Sequence, residues 1–263
     1  MTKKNATQRG GRWNRLKTMW REDLTALGVL LTIPSPQIVQ IIARAELDFL
    51  FIDMEHGHFD PASLHATIAA LAGTPIVPIV RVGANESWLA KIPLDAGALG
   101  IIFPGVNSRA DAESAVKAVR YPPEGERFWG PFYAAPRWGA TLAEYAQVAN
   151  DEVLAIGMAE HISLTKTIQD VVTVPGLDLL FIGPGDLSTS MGYPARTDHP
   201  DVAQAIGHLE STIRDSPVVL GGVAVNPGQA EEMSACGYRA LIVGFDFMLL
   251  ERGLDAVLHS IRR

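Results

Sequence analysis

The sequence predicts a single (β/α)8 barrel. Three observations lead there. Eight short apolar runs alternate with segments of helical spacing over 263 residues, close to the roughly 250 typical of such barrels. Most of those runs are continuously apolar, which suits parallel strands buried on both faces. No break in composition marks a second domain, and eight strand–helix units favour a closed barrel over its main competitor, an open doubly wound sheet.

Taken in order, the strand candidates are residues 26–33, 49–55, 76–81, 99–103, 153–158, 179–183, 218–225 and 240–244. The segment 36–45 places Ile38, Ile41, Ile42 and Ala45 on one helical face. Asp60-Pro61 opens the next helix, an N-cap followed by proline at the first helical position, and carries it to residue 72. Helices are also expected over 87–96, 108–119, 162–172, 200–214, 227–236 and 247–261. The connection 120–150 is longer than the others. It holds Arg127-Phe128-Trp129-Gly130-Pro131, then Phe132, Tyr133 and Trp138. Long loops of this composition are more often functional than idle, and this one, if it follows strand four, lies at the barrel mouth.

The net charge of -7 argues against general nucleic-acid binding. A single cysteine, Cys236, excludes an intrachain disulfide and fits a reducing, cytoplasmic setting. No apolar stretch has the length of a membrane span. Residues 1–21 carry Lys3, Lys4, Arg9, Arg12, Arg15, Lys17 and Arg21 with no acid. Residues 1–22 therefore read as a solvated basic tail, and 23–263 as the barrel.

Ionisable residues end several strands. Val153 to Met158 leads to Glu160, and Leu177 to Gly183 leads to Asp186. Hard divalent cations such as Mg²⁺ or Mn²⁺ take oxygen ligands, and neighbouring strand ends let both carboxylates reach one ion. The competing reading makes Asp186 a helix cap. The turn Gly183-Pro184-Gly185-Asp186 lets backbone N–H groups approach an anion. Asp53, Glu55 and His56 crowd the end of strand two, and a histidine there can act as a base near neutral pH. Arg81 ends strand three. It can steady an oxyanion or form a structural ion pair with Asp53 or Glu55. Asp95 stands in the following helix, where it can cap backbone or orient a histidine. No lysine ends a strand, which disfavours a Schiff base.

With these residues assembled, the chain resembles the HpcH/HpaI family of metal-dependent 2-keto-3-deoxy-acid aldolases. The matching stretches are Phe51-Ile-Asp-Met-Glu-His56, Pro78-Ile-Val-Arg81, Leu94-Asp-Ala-Gly97, Arg120-Tyr-Pro-Pro123, Gly176 to Ser188 and Met191-Gly-Tyr193. The resemblance implies a TIM barrel of the phosphoenolpyruvate/pyruvate superfamily and a homo-oligomer, commonly a hexamer with exchanged C-terminal helices. It implies class II cleavage of a 4-hydroxy-2-oxo acid to pyruvate and an aldehyde, through a pyruvate enolate held on Mg²⁺, Mn²⁺ or Co²⁺. It makes Glu160 and Asp186 the metal ligands and Arg81 the partner of the keto oxygen. His56 and Asp95 become the general-base dyad, and Gly185 with Asp186 the backbone cradle of the pyruvate carboxylate. One departure stands out: Phe128 and Trp129 replace small residues, and two bulky aromatics near the mouth would narrow or reshape the aldehyde subsite. Alternatives are a related enolate-forming lyase, including an acyl-CoA lyase, an oxaloacetate decarboxylase, and a binding barrel without activity.

Overall fold

The computed structural model describes residues 13–262. Eight strands, β1 (Ala26–Leu31), β2 (Phe49–Asp53), β3 (Val77–Arg81), β4 (Gly100–Phe103), β5 (Leu154–Ala159), β6 (Leu177–Ile182), β7 (Val219–Val223) and β8 (Ala240–Phe245), close into one parallel barrel in sequence order. The helices are α1 (Arg15–Arg21), α2 (Pro36–Ile42), α3 (Pro61–Ala70), α4 (Lys91–Ala96), α5 (Arg109–Val119), α6 (Ala134–Arg137), α7 (Leu142–Glu152), α8 (Leu164–Val171), α9 (Pro184–Ser190), α10 (Pro200–Arg214), α11 (Pro227–Ala235) and α12 (Asp246–Ile261). The predicted barrel is therefore the observed one. Asp60 caps α3 in a reciprocal box with Ser63, as the Asp-Pro pair foretold. The helix expected over 87–96 divides into a 3-10 turn, Ser87–Ala90, and α4. Pro93 is the cause: it lacks an N–H and is tolerated only within a first turn.

Strand alternation sorts the core into two layers. Phe49 and Phe51, Val77 and Ile79, Leu154, Ile156 and Met158, and Leu179 and Phe181 fill the barrel interior. Leu50, Ile52, Val80, Ile101 and Leu180 face the helices. Inward positions alternate large and absent side chains. A Cβ at Gly28 would run into the Phe49 ring, and one at Gly221 would meet Phe181. The same period of two carries Asp53, Arg81 and, just past β5, Glu160 onto the inward row at the top of the barrel.

The base is closed by a segment the sequence assigned to a solvated tail. Residues 13–22 are part of the barrel body. Asn14 caps α1, is fully buried and donates to the Leu99 and Glu152 carbonyl oxygens. Leu16 enters the interior cluster from below. Arg15 pairs with Asp48 at 2.8 Å and Lys17 with Asp178 at 3.1 Å. Two of the cationic side chains that suggested a tail, Arg15 and Lys17, are thus paired to carboxylates at strand starts. Residues 1–12 lie outside the described part.

A second correction concerns the aromatic loop. Helix α5 intervenes after β4, so residues 120–141 run at the base, opposite the mouth. Arg120 donates to the carbonyl oxygen of Val153, just before β5, at 2.7 Å, and Trp138 Nε1 donates to that of Gly97, ahead of β4. Phe128 and Trp129 are exposed there, with Trp129 tilted against Tyr121 at 5.6 Å.

Helix α12 behaves unlike the other outer helices. Beyond Asp246 it exposes Leu249, Leu250, Leu254, Val257, Leu258 and Ile261. Meanwhile a groove bordered by Leu24, Leu27, Ala230 and Ala235 runs over the outside of β1 and β8, where a closing helix of this fold would pack. No helix among the described residues is long and apolar enough to cross a membrane.

Candidate active site

Asp53 organises the mouth. Its side chain is 1% exposed, and it grips Arg81 with both oxygens: Nε donates to Oδ1 at 2.9 Å and Nη2 to Oδ2 at 2.7 Å. Oδ1 also accepts the backbone N–H of Glu55 at 3.0 Å and of His56 at 3.4 Å. One carboxylate therefore fixes both the arginine and the turn that presents the histidine. Arg81 Nη1 lies 3.1 Å from Glu55 Oε2, and the guanidinium sits 5.5 Å from the centre of the Phe51 ring. Burial opposes the charge on Arg81, but the Asp53 hydrogen bonds and the nearby carboxylates outweigh it and raise its pKa. The arginine is held as a permanent, planar cation.

Glu160 follows β5. Its Oε1 accepts the Gly105 N–H at 2.9 Å, while Oε2 is buried without a hydrogen bond. Burial pushes the Glu160 pKa up; the Gly105 N–H draws it down, and the charges of Glu55 and Asp186 raise it further. Glu55 is likewise raised, first by burial, and its Oε2 lacks a hydrogen bond with suitable geometry. Asp186 stands in the first turn of α9. The first intrahelical donor there is Leu187, to the Gly183 carbonyl oxygen, so Gly185 and Asp186 keep backbone N–H groups without helical acceptors. A Cβ at Gly185 would meet nothing within 4 Å, which leaves room for a small anion.

This donor set fits a divalent cation. The buried Oε2 of Glu160 has no hydrogen-bond partner and feels the charges of Glu55 and Asp186, an imbalance that a bound ion would offset. Among the described residues no group of three or more His, Cys, Asp or Glu is placed to hold a metal. The protein would offer two carboxylates and leave other positions to water and substrate, as hard cations accept.

His56, Arg81, Gly183, Gly185 and Asp186 line a cavity of about 530 Å³ at the C-terminal ends of the strands. Catalytic sites of such barrels occupy this face. A profile of the HpcH/HpaI aldolase/citrate lyase family matches residues 27–252. The chain belongs to this family. It is 31% identical over 255 residues to a hydroxypyruvate/pyruvate aldolase of Paraburkholderia phytofirmans, covering 95% of this chain and 98% of the relative. It is 35% identical over 232 residues to a 2-keto-3-deoxy-L-rhamnonate aldolase of Klebsiella pneumoniae, covering 88% and 86%. The crystal structure of an HpcH/HpaI aldolase/citrate lyase family protein from Burkholderia cenocepacia superposes with a TM-score of 0.88 at 32% identity, covering 95% of this chain and 100% of that one.

Three expected site residues of this HpcH/HpaI chain lie elsewhere. Asp95, on α4, has its ion-pair partner in Arg127 at 3.7 Å, whereas His56 Nε2 lies 3.7 Å from Glu55. Asp95 also abuts Gly130, where any Cβ would press on its carboxylate. Burial raises the Asp95 pKa, against the pull of Arg127 and Lys91. Phe128 and Trp129 share that base-side neighbourhood. In a single chain none of the three lines the mouth cavity.

Sequence reasoning singled out Asp53 only as one of a crowd. Its inward phase with Phe49 and Phe51 was the signal for its central place. Gly105 carried no signal at all, since a backbone N–H is donated by every residue type except proline. His161, which borders Glu160 in sequence, pairs with Ser163 at 2.8 Å.

Proposed function

We propose that the chain is a divalent-metal-dependent aldolase that reversibly cleaves a 4-hydroxy-2-oxo acid to pyruvate and an aldehyde. The observation that carries this reading is the meeting of a fixed cation, Arg81, with His56 and the open backbone at Gly185 in one cavity, whose Gly183 wall abuts the orphaned oxygen of Glu160. The names of the relatives point to the same reaction class.

Glu160 and Asp186 would hold the cation, which supplies a Lewis acid for the oxygens of the 2-oxo acid. The backbone N–H groups of Gly185 and Asp186 bind the carboxylate. Arg81, locked by Asp53, donates to the keto oxygen as it gains charge; it needs no reorganisation because its orientation is already fixed. His56 takes the proton from the 4-hydroxyl. The C4–O bond becomes a carbonyl, the C3–C4 pair passes to the pyruvate fragment, and a proton returned to C3 completes pyruvate.

Asp95, Phe128 and Trp129 enter this scheme through a second copy of the chain, which presents its base to this mouth. Exposed α12 and the bare groove over β1 and β8 support a homo-oligomer, and a hexamer is the assembly the family resemblance implies. Mg²⁺, Mn²⁺ and Co²⁺ are all compatible with a two-carboxylate site.

Exchange of the pyruvate methyl protons for deuterium, followed by NMR, tests the reading without any aldehyde. Exchange should appear with one of these cations, vanish with EDTA, and vanish in Asp186→Ala. Full exchange in that variant would remove the metal assignment. Neither exchange nor pyruvate binding under any cation would end the pyruvate reading.

A further inference from the structure

The mouth cavity has two unlike halves. The chemistry described above occupies the ends of β2, β3, β5 and β6. The remaining wall, from β7, β8 and β1, consists of Val223, Val225, Ile242, Phe245 and Leu30. With the carboxylate and keto oxygen held at the polar half, this wall is what the chain itself offers the substituent on C4. We infer that the acceptor aldehyde carries an uncharged, apolar substituent, selected by the Val223–Val225–Phe245 wall; this rests on the aldolase reading above.

Three observations support the assignment. Arg81, the buried cation of the cavity, is already committed to Asp53 and Glu55, so a carboxylate on the aldehyde would lack a dedicated partner. Arg252 lies by the wall, but its Nη1 donates to the Val225 carbonyl oxygen at 3.1 Å, and its side chain is exposed to water. The polar groups on this side are Gln229 and the exposed Thr197, and Gln229 Oε1 is taken by the Val225 N–H at 2.8 Å. That inventory allows a hydrogen bond or two at the rim. It does not compensate the desolvation of a charge or of several hydroxyls. A second copy that brought Phe128 and Trp129 to the mouth would add two rings to this apolar wall, with Asp95 already paired to Arg127.

The test is aldol addition of pyruvate, with the activating cation, to three four-carbon aldehydes: butanal, 4-oxobutanoate and erythrose. The kcat/KM for butanal should exceed each of the others by about tenfold or more. Val225→Arg should move the ratio of 4-oxobutanoate to butanal upward by about tenfold; the ratio is read within one protein, so a general loss of activity does not affect it. Wild-type preference for the acid or the polyol, or equal rates with all three, overturns the inference. If pyruvate methyl exchange persists in that case, the aldolase reading survives and the specificity assignment alone falls. Absence of both exchange and addition removes both.

Discussion

Asp53 is the residue on which the polar half of the mouth turns. It holds Arg81 in a two-point grip and ties down the turn that leads to His56. Asp53→Asn keeps the shape and removes the charge, so a nearly buried guanidinium loses its best partner. Breaking a buried pair in this way costs roughly 3 kcal/mol or more, to be read from urea denaturation. Pyruvate exchange should fall by about a hundredfold or more, because a preorganised donor is displaced. An unchanged unfolding midpoint would show that Glu55 alone holds the arginine. The sequence placed Asp53, Glu55 and Arg81 together because they end adjacent strands. It left open whether Arg81 serves an ion pair or a substrate. The structure shows the ion pair in place, and the planar fork lets one side chain do both. Gly105 could not have been found in the same way, since its contribution to Glu160 is backbone.

At the scale of elements, α1 is the part that sequence reading misassigned. A run of cations without an acid describes a tail only if nothing nearby is acidic. For Arg15 and Lys17 the acids sit at strand starts, in Asp48 and Asp178, far away in sequence. Local composition carries no trace of such pairs. Leu16 is the apolar anchor of α1 in the barrel floor. Leu16→Ala should destabilise the chain by about 2–5 kcal/mol, the range for a fully buried leucine that leaves a cavity, measured by chemical unfolding. A cost below about 0.5 kcal/mol would mean that α1 rests on the barrel rather than closing it. The strands fared better than the helices because continuous apolar runs leave little choice of state. The aromatic loop was misplaced by a topological slip: α5 follows β4 and returns the chain to the base before the loop begins.

For the whole molecule, the two ends of the barrel hold complementary parts of one expected site. His56, Arg81, Glu160 and Asp186 stand at the mouth, while Asp95, Phe128 and Trp129 stand at the base. Subunit mixing tests whether a neighbour joins them. Asp95→Ala and His56→Ala should each be impaired in aldol cleavage. Co-expressed, they should regain measurable kcat, because some interfaces pair an intact His56 with an intact Asp95 from another copy. Mixtures no more active than the separate variants would confine both residues to a single chain's site, or remove Asp95 from it. No sequence pattern could have announced this split, since a motif records which residues occur and not which molecule they serve.

The bare groove over β1 and β8 bears on how a newly made chain spends its first moments. Everything up to β8 can close as soon as it leaves the ribosome, but one outer face stays wet among the described residues and the last helix beyond Arg252 exposes its apolar side. Under the proposed assembly, covering that face is a second-order event. Dilute chains wait longest, and their stability depends on how many sisters are already present. Slow synthesis would then lengthen the exposure of an apolar groove that rapid synthesis soon hides.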